Sequence, residues 1–219
     1  MNTAFRPPSA FDAFCTETFR IVLDCLARPG TIGQLTQPTF LGTPLPITTA
    51  GGAVPANMYA LGACMSLIDQ ETNFVLGCDN AWLLQGHEVT TWVHVRTNAR
   101  RVAPQDAQFA YLWDVASLAL IPQLPRGTLT FPERSTTVFC AVPEISVSGS
   151  WRLRGPGIDG SASFGTDEAT MRQVDFIQQT RTQFPLGVDV FLIDHTGKCV
   201  GLPRTTRIEL STAHSVRGG

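Results

Sequence analysis

Five short apolar runs punctuate the chain, at residues 73–77, 109–112, 136–142, 188–193 and 199–202. Each is rich in β-branched, aromatic or aliphatic residues and is bounded by Gly, Pro, Asn or Asp, the pattern of buried strands. Segments of helical periodicity lie between them. Strands interleaved with helices predict an α/β layered sandwich, and strands that follow one another through tight turns predict that its sheet is mixed.

Residues 9–28 predict an amphipathic helix. Phe11, Phe14, Cys15, Phe19, Val22, Leu23 and Leu26 recur at three- and four-residue steps and share a face. Ser9 or Asp12 caps its start, and Pro29-Gly30 ends it, because proline disfavours helix at the residue before it. Residues 31–36 alternate as a strand, and 37–55 read as a surface loop rich in Pro, Gly and Thr. A second helix is expected over 55–69, with Pro55 in the first turn where its missing N–H costs little. Asp79-Asn80 reads as the cap of a further helix, with 92–95 its end or a strand. Residues 116–121 form a short apolar segment and 122–134 a loop. Residues 151–153 alternate into the turn Gly155-Pro156-Gly157. Thr166 or Asp167 caps a helix over 168–182, and Asp194-His195-Thr196-Gly197 is a hairpin turn between the last two apolar runs. No repeat or linker divides the 219 residues, so one domain over 1–219 is expected, with flexible ends at about 1–8 and 211–219.

The net charge is −2 with no basic run, so the basic patch that nucleic-acid binding needs is not visible in the sequence. Charged residues make up 16% of the chain, against about 25% in ordinary globular domains. Such a surface fits either a partner interface or a compact monomer. The six cysteines stand apart in apolar surroundings with no C-x-x-C pair, which predicts buried free thiols and no zinc site. The first ten residues are polar with two prolines, unlike a signal peptide, and the apolar stretches fall short of the ~18 residues of a membrane span. A cytoplasmic protein is expected.

Catalytic motifs are absent. Neither G-x-x-x-x-G-K-[ST], G-x-G-x-x-G nor G-x-S-x-G occurs. Gly155-Pro156-Gly157 and Gly160 read as turn glycines, and Ser148-Gly149-Ser150 is placed ahead of a strand, where no nucleophile elbow would lie. The histidines, His87, His94, His195 and His214, share no metal-ligand spacing. Of the 16 basic residues 15 are arginine, and Lys198, the one lysine, lies beside a hairpin turn where a Schiff-base lysine is not expected. No cofactor, metal ligand or catalytic residue is therefore assigned. Two segments stand out: Phe184-Pro185-Leu186-Gly187-Val188-Asp189, and Leu202-Pro203-Arg204-Thr205-Thr206. Arg204, Thr205 and Thr206 with Asp189 suit a small anion pocket, since a guanidinium fork and hydroxyls match phosphate or carboxylate. The plainer alternative is a strand-entry turn with an Arg204–Asp189 pair.

These segments, "FPLGVDVFLID" followed by "LPRTTRIEL", together with "FRIVLDCLARPGTIGQL" and "WRLRGPGI", resemble in order and spacing the PhnH family, the H subunit of the carbon–phosphorus lyase core complex. The resemblance spans roughly residues 10 to 210. It implies a fold like the large domain of pyridoxal-phosphate-dependent transferases without the cofactor lysine. It also implies a homodimer that joins the G, I and J subunits in the cytosol. That assembly supports transfer of a phosphonate onto the ribose of ATP with release of adenine, ahead of carbon–phosphorus bond cleavage. The H subunit carries no established catalytic residues. The positions matching the motifs are Arg28, Pro29 and Gly30; Gly155, Pro156 and Gly157; Pro185, Gly187 and Asp189; and Pro203, Arg204, Thr205 and Thr206, whose expected roles are turn geometry, folding and subunit contact. Three functions compete: a non-catalytic assembly subunit, a component lending Arg204 to a shared site for ATP or phosphonate, and, by fold analogy alone, a stand-alone pyridoxal-phosphate transferase.

Overall fold

The computed structural model describes residues 9–210; the ends expected to be flexible, 1–8 and 211–219, and with them His214, lie outside the described residues. In chain order the elements are α1 (Ala10–Ala27), β1 (Ile32–Gln34), β2 (Ile47–Thr49), β3 (Gly52–Val54), α2 (Met58–Met65), β4 (Asn73–Cys78), β5 (Ala81–Trp82), α3 (Glu88–Thr97), β6 (Arg100–Arg101), β7 (Phe109–Leu112), β8 (Thr137–Ala141), β9 (Ile145–Arg154), β10 (Ala162–Thr166), α4 (Glu168–Arg172), α5 (Val174–Gln178), β11 (Asp189–Ile193), β12 (Lys198–Leu202) and β13 (Arg207–Leu210). The main sheet runs β1-β12-β11-β8-β7-β4-β5, with β6 also on β4. Its centre, β11-β8-β7-β4, is parallel, and its flanks β12, β1 and β5 are antiparallel. The expected α/β fold with a mixed sheet is what forms.

Alternate side chains of each central strand enter two separate cores. Phe74, Leu76, Tyr111, Phe139, Phe191, Ile193 and Cys199 pack under α1, α2 and α3. Val75, Ala110, Leu112, Val138, Cys140, Val190, Leu192, Val200 and Leu202 face the other way. Burial on both faces makes a parallel strand read as a continuous apolar run, which is why these strands stand out in the sequence. The second face is covered by a 3₁₀ segment (Val115–Gln123), α5 and a three-stranded sheet, β10-β9-β13. That sheet contributes Trp151 and Phe164, stacked at 5.2 Å, with Leu153 and Ile208. Its two outer strands, β10 and β13, escape the sequence reading because each has few apolar residues and depends on β9 for its pairing.

Several boundaries differ from expectation for local reasons. Ser9 caps α1 in a reciprocal box with Asp12, but the buried face is Phe14, Thr18, Val22 and Cys25, leaving Phe19 and Leu23 half exposed at 50% and 51%. Asn57, not Pro55, starts α2, its Oδ1 accepting from the N–H groups of Tyr59 and Ala60. Within the supposed loop 37–55, β2 and β3 pair as a hairpin. Asp79 and Asn80 adopt positive φ and turn β4 into β5, so they cap no helix; His87 caps α3 instead. Ser148-Gly149-Ser150 lies inside β9. The helix expected over 168–182 is capped by Asp167 but tightens at Gln173 into two pieces, α4 and α5. Among the described residues no helix is long and apolar enough to cross a membrane. Cys25, Cys64, Cys78, Cys140 and Cys199 are buried free thiols, and Cys15 is half-buried; burial pushes Cys64 up to about 12.

The first helix lies almost in contact with the sheet backbone at Gly201, where a Cβ would stand 2.7 Å from the carbonyl carbon and oxygen of Cys25. Gly201→Val is expected to lower unfolding free energy by about 2 kcal/mol through overpacking, read as a drop in urea midpoint at constant slope. An unchanged midpoint would contradict this packing.

Candidate functional site

The four motif segments, scattered over the sequence, meet at one corner of the molecule. Pro29 and Gly30 follow α1, and Gly157 at φ +79° closes on that turn so tightly that a Cβ would sit 2.2 Å from the carbonyl oxygen of Ala27 and 3.2 Å from Pro29. Gly155, at φ +143°, likewise faces the carbonyl oxygen of Thr205 at 3.1 Å. Both positions need glycine for conformation and for space. Gly187 backs onto Arg204 and Arg181, after Pro185 in the turn that enters β11. Pro156 is exposed in its turn, Pro203 begins the turn whose carbonyl accepts from the Thr206 N–H, and Arg28 pairs with Asp24 at the surface.

Arg204 and Asp189 come together as the sequence pattern anticipated. The Arg204 N–H donates to Asp189 Oδ1 at 2.7 Å, and the guanidinium is 3.8 Å from the carboxylate. Arg204 Nη1 also donates to the carbonyl oxygen of Pro132 at 2.6 Å and to the Ser135 hydroxyl. Its fork is thus turned largely inward, tying the 203–206 turn to the segment ahead of β8.

Beside it lies a depression of about 320 Å³ lined by Gln178, Arg181, Arg204, Thr205, Thr206 and Arg207, with Phe184 and Ile208 at its margin. Sequence reasoning missed Arg181, which it placed in a continuous helix. The Arg181 guanidinium donates to the carbonyl oxygens of Thr206 at 3.0 Å, Leu202 at 2.6 Å and Val188 at 3.4 Å. It joins three chain segments and is sunk enough that burial pulls it down to about 10, against the opposing pull of Asp189; it remains a cation at neutral pH. Its Nε and the Thr206 hydroxyl are buried without a partner, and among the described residues it forms no ion pair. A sunk cation bonded to carbonyl dipoles, with no carboxylate in ion-pair contact, is costly, so the depression favours an anion.

This corner is at the edge where the parallel strands begin. Open α/β sheets usually take ligands at the opposite edge, where the strands end. There two carboxylates, those of Asp114 and Asp194, are occupied with loop backbone. Asp114 accepts from the N–H groups of Asp79 (2.7 Å) and Ser117 (2.9 Å), and Asp194 from those of Ile145, Thr196 and Lys198. Lys198 Nζ donates to the Ile145 carbonyl at 2.9 Å. His87 accepts from the Val89 N–H, while Nδ1 of His94 and of His195 bonds the carbonyls of Ala99 and Pro143. Among the described residues no group of three His, Cys, Asp or Glu side chains is placed to hold a metal ion.

Comparison with known proteins points one way. The model of the family described as bacterial phosphonate metabolism protein (PhnH) matches residues 12–209. The chain is 30% identical over 210 residues, 94% of each chain, to the protein named alpha-D-ribose 1-methylphosphonate 5-triphosphate synthase subunit PhnH from Rhizobium meliloti (strain 1021). It is 33% identical over 122 residues, 54% of this chain and 60% of the other, to the putative C-P lyase subunit protein HtxG of Stutzerimonas stutzeri.

Arg204→Ala would leave the Pro132 carbonyl and the Ser135 hydroxyl without their partner, while the backbone N–H of residue 204 still reaches Asp189. A loss of about 2 kcal/mol is expected, measured by chemical denaturation with native circular dichroism retained. Full stability in this variant would show that the clasp does not hold the turn.

Proposed function

Since the chain belongs to the PhnH family of bacterial phosphonate metabolism proteins, we propose that it is a non-catalytic, dimerising subunit of a carbon–phosphorus lyase assembly. Its expected partners are a second copy of itself and the G, I and J subunits, in the cytoplasm. The assembly couples a phosphonate to the ribose of ATP with release of adenine, ahead of bond cleavage, and this chain supplies structure to it. The reading draws on the relatives, one named as a synthase subunit and the other as a C-P lyase subunit. The single structural observation that carries it is the apolar stripe on α1, where Cys15, Phe19 and Leu23 stand at four-residue steps with the last two half exposed. A stripe of this kind on a helix already packed on its other side fits subunit contact. The chain is taken as one domain over its length, related in fold to the large domain of pyridoxal-phosphate-dependent transferases, with Lys198 structural and no cofactor.

A second reading is favoured by the arginine-lined depression: Arg204, Thr205 and Thr206, with Asp189 behind them, lend an anion site for ATP or phosphonate to an active site shared with the partners. The remaining motif residues, Arg28, Pro29, Gly30, Gly155, Pro156, Gly157, Pro185, Gly187 and Pro203, serve turn geometry in either case.

A host lacking this chain is expected to grow on phosphate but not on methylphosphonate as sole phosphorus source. The wild-type chain restores growth, and the folded double variant Phe19→Asp, Leu23→Asp does not. Growth of the deletion strain on methylphosphonate would contradict the subunit role; full rescue by the variant would move the contact away from α1.

A further inference from the structure

The depression beside Arg181 continues into a second one of about 270 Å³ lined by Arg154, Gly155, Thr205 and Arg207. Thr205 and Arg207 line both, so the two form one groove crossed by a single arginine. The strand register explains the charge that gathers here. On the outer face of the small sheet, Glu209 of β13 lies opposite Arg152 of β9, a pairing of opposite sign. Two residues along, on the same face, Arg207 lies directly opposite Arg154. Like charges facing across an antiparallel pair repel. Among the described residues neither arginine side chain forms an ion pair or hydrogen bond, and the Thr205 hydroxyl has no protein partner. Arg181, at the floor, carries a sunk charge with its Nε unpartnered. Arg204 alone in the groove has a carboxylate partner, Asp189.

We propose that Arg154, Arg181 and Arg207, with Thr205 between them and Arg204 as wall, form a site for an anion of two or more linked phosphate groups, a polyphosphate chain free or borne by a nucleoside. A single phosphate occupies one depression and leaves one side of the arginine pair unanswered. A phosphate chain answers Arg181 at one end and Arg154 at the other, with Arg207 bonding its middle by the bidentate geometry that suits phosphate oxygens. Gly155 is part of the design, because its missing Cβ lets β9 come within reach of Thr205. The proposal rests on the anion-site reading above and narrows it to a ligand class.

The test is calorimetric titration of the full-length chain with inorganic triphosphate, ATP, orthophosphate and methylphosphonate. Triphosphate is expected to bind at least about tenfold more tightly than either single-group anion, the ratio one further charge-assisted contact provides. ATP matching triphosphate locates recognition in the phosphate chain, whereas ATP binding much more tightly identifies the nucleoside-borne form; both support the site. Arg207→Ala and Arg154→Ala are exposed changes that leave melting unaltered or raised without ligand, yet each is expected to weaken triphosphate about tenfold and to abolish its thermal stabilisation. Arg20→Ala, on α1, controls for net charge and is expected to change nothing. If all the anions bind alike and lose affinity in Arg207→Ala, an anion site stands but the polyphosphate class is wrong. If none binds, or binding ignores Arg207 and Arg154, both readings fall.

Discussion

Four parallel strands with apolar side chains on both faces set the terms for the rest of the structure. Such a sheet has no face that water can cover, so each side must be closed by another layer. On one side the closure is helical, with α1 brought against β12 at Gly201. On the other it is a second sheet, which requires the chain to leave after β8, build β9 and β10, and return through α4 and α5 to β11. The C-terminal strand β13 then crosses back to pair with β9. The corner where these excursions begin and end is where the motif turns converge.

That topology also decides where charge is left over. At the edge where the parallel strands end, Asp114 and Asp194 are consumed by backbone N–H groups and hold loops in place. At the opposite edge the return turns bring in arginines faster than carboxylates. Arg181 is spent on three carbonyls that fasten β13 to the body, Arg204 on Asp189 and the 132–135 segment, and, among the described residues, the side chains of Arg154 and Arg207 pair with nothing.

Much of this was legible in the residues. The central strands declared themselves because burial on both faces removes the polar alternation that would otherwise confuse them, and α1 declared itself by period and cap. The face of α1 did not: Phe19 and Leu23 are as apolar as Val22, and only the position of the sheet decides which are covered. The strands β10 and β13 were invisible because their stability is lent by β9. The Arg204–Asp189 pair could be guessed from two motifs, since each sits at a strand end. Arg181 could not, as a helix ending early at Gln178 is a tertiary outcome, and the Arg154–Arg207 opposition exists only through cross-strand register, although both residues fall inside recognised motifs.

The proposed role makes the chain a working part of a larger assembly. The most direct measurement is affinity purification of the tagged full-length chain from its own host grown on a phosphonate, with native mass and subunit composition of the eluate. Recovery of the other carbon–phosphorus lyase subunits in fixed ratio, with two copies of this chain per particle, is the predicted result. A chain that elutes alone under those conditions would contradict it.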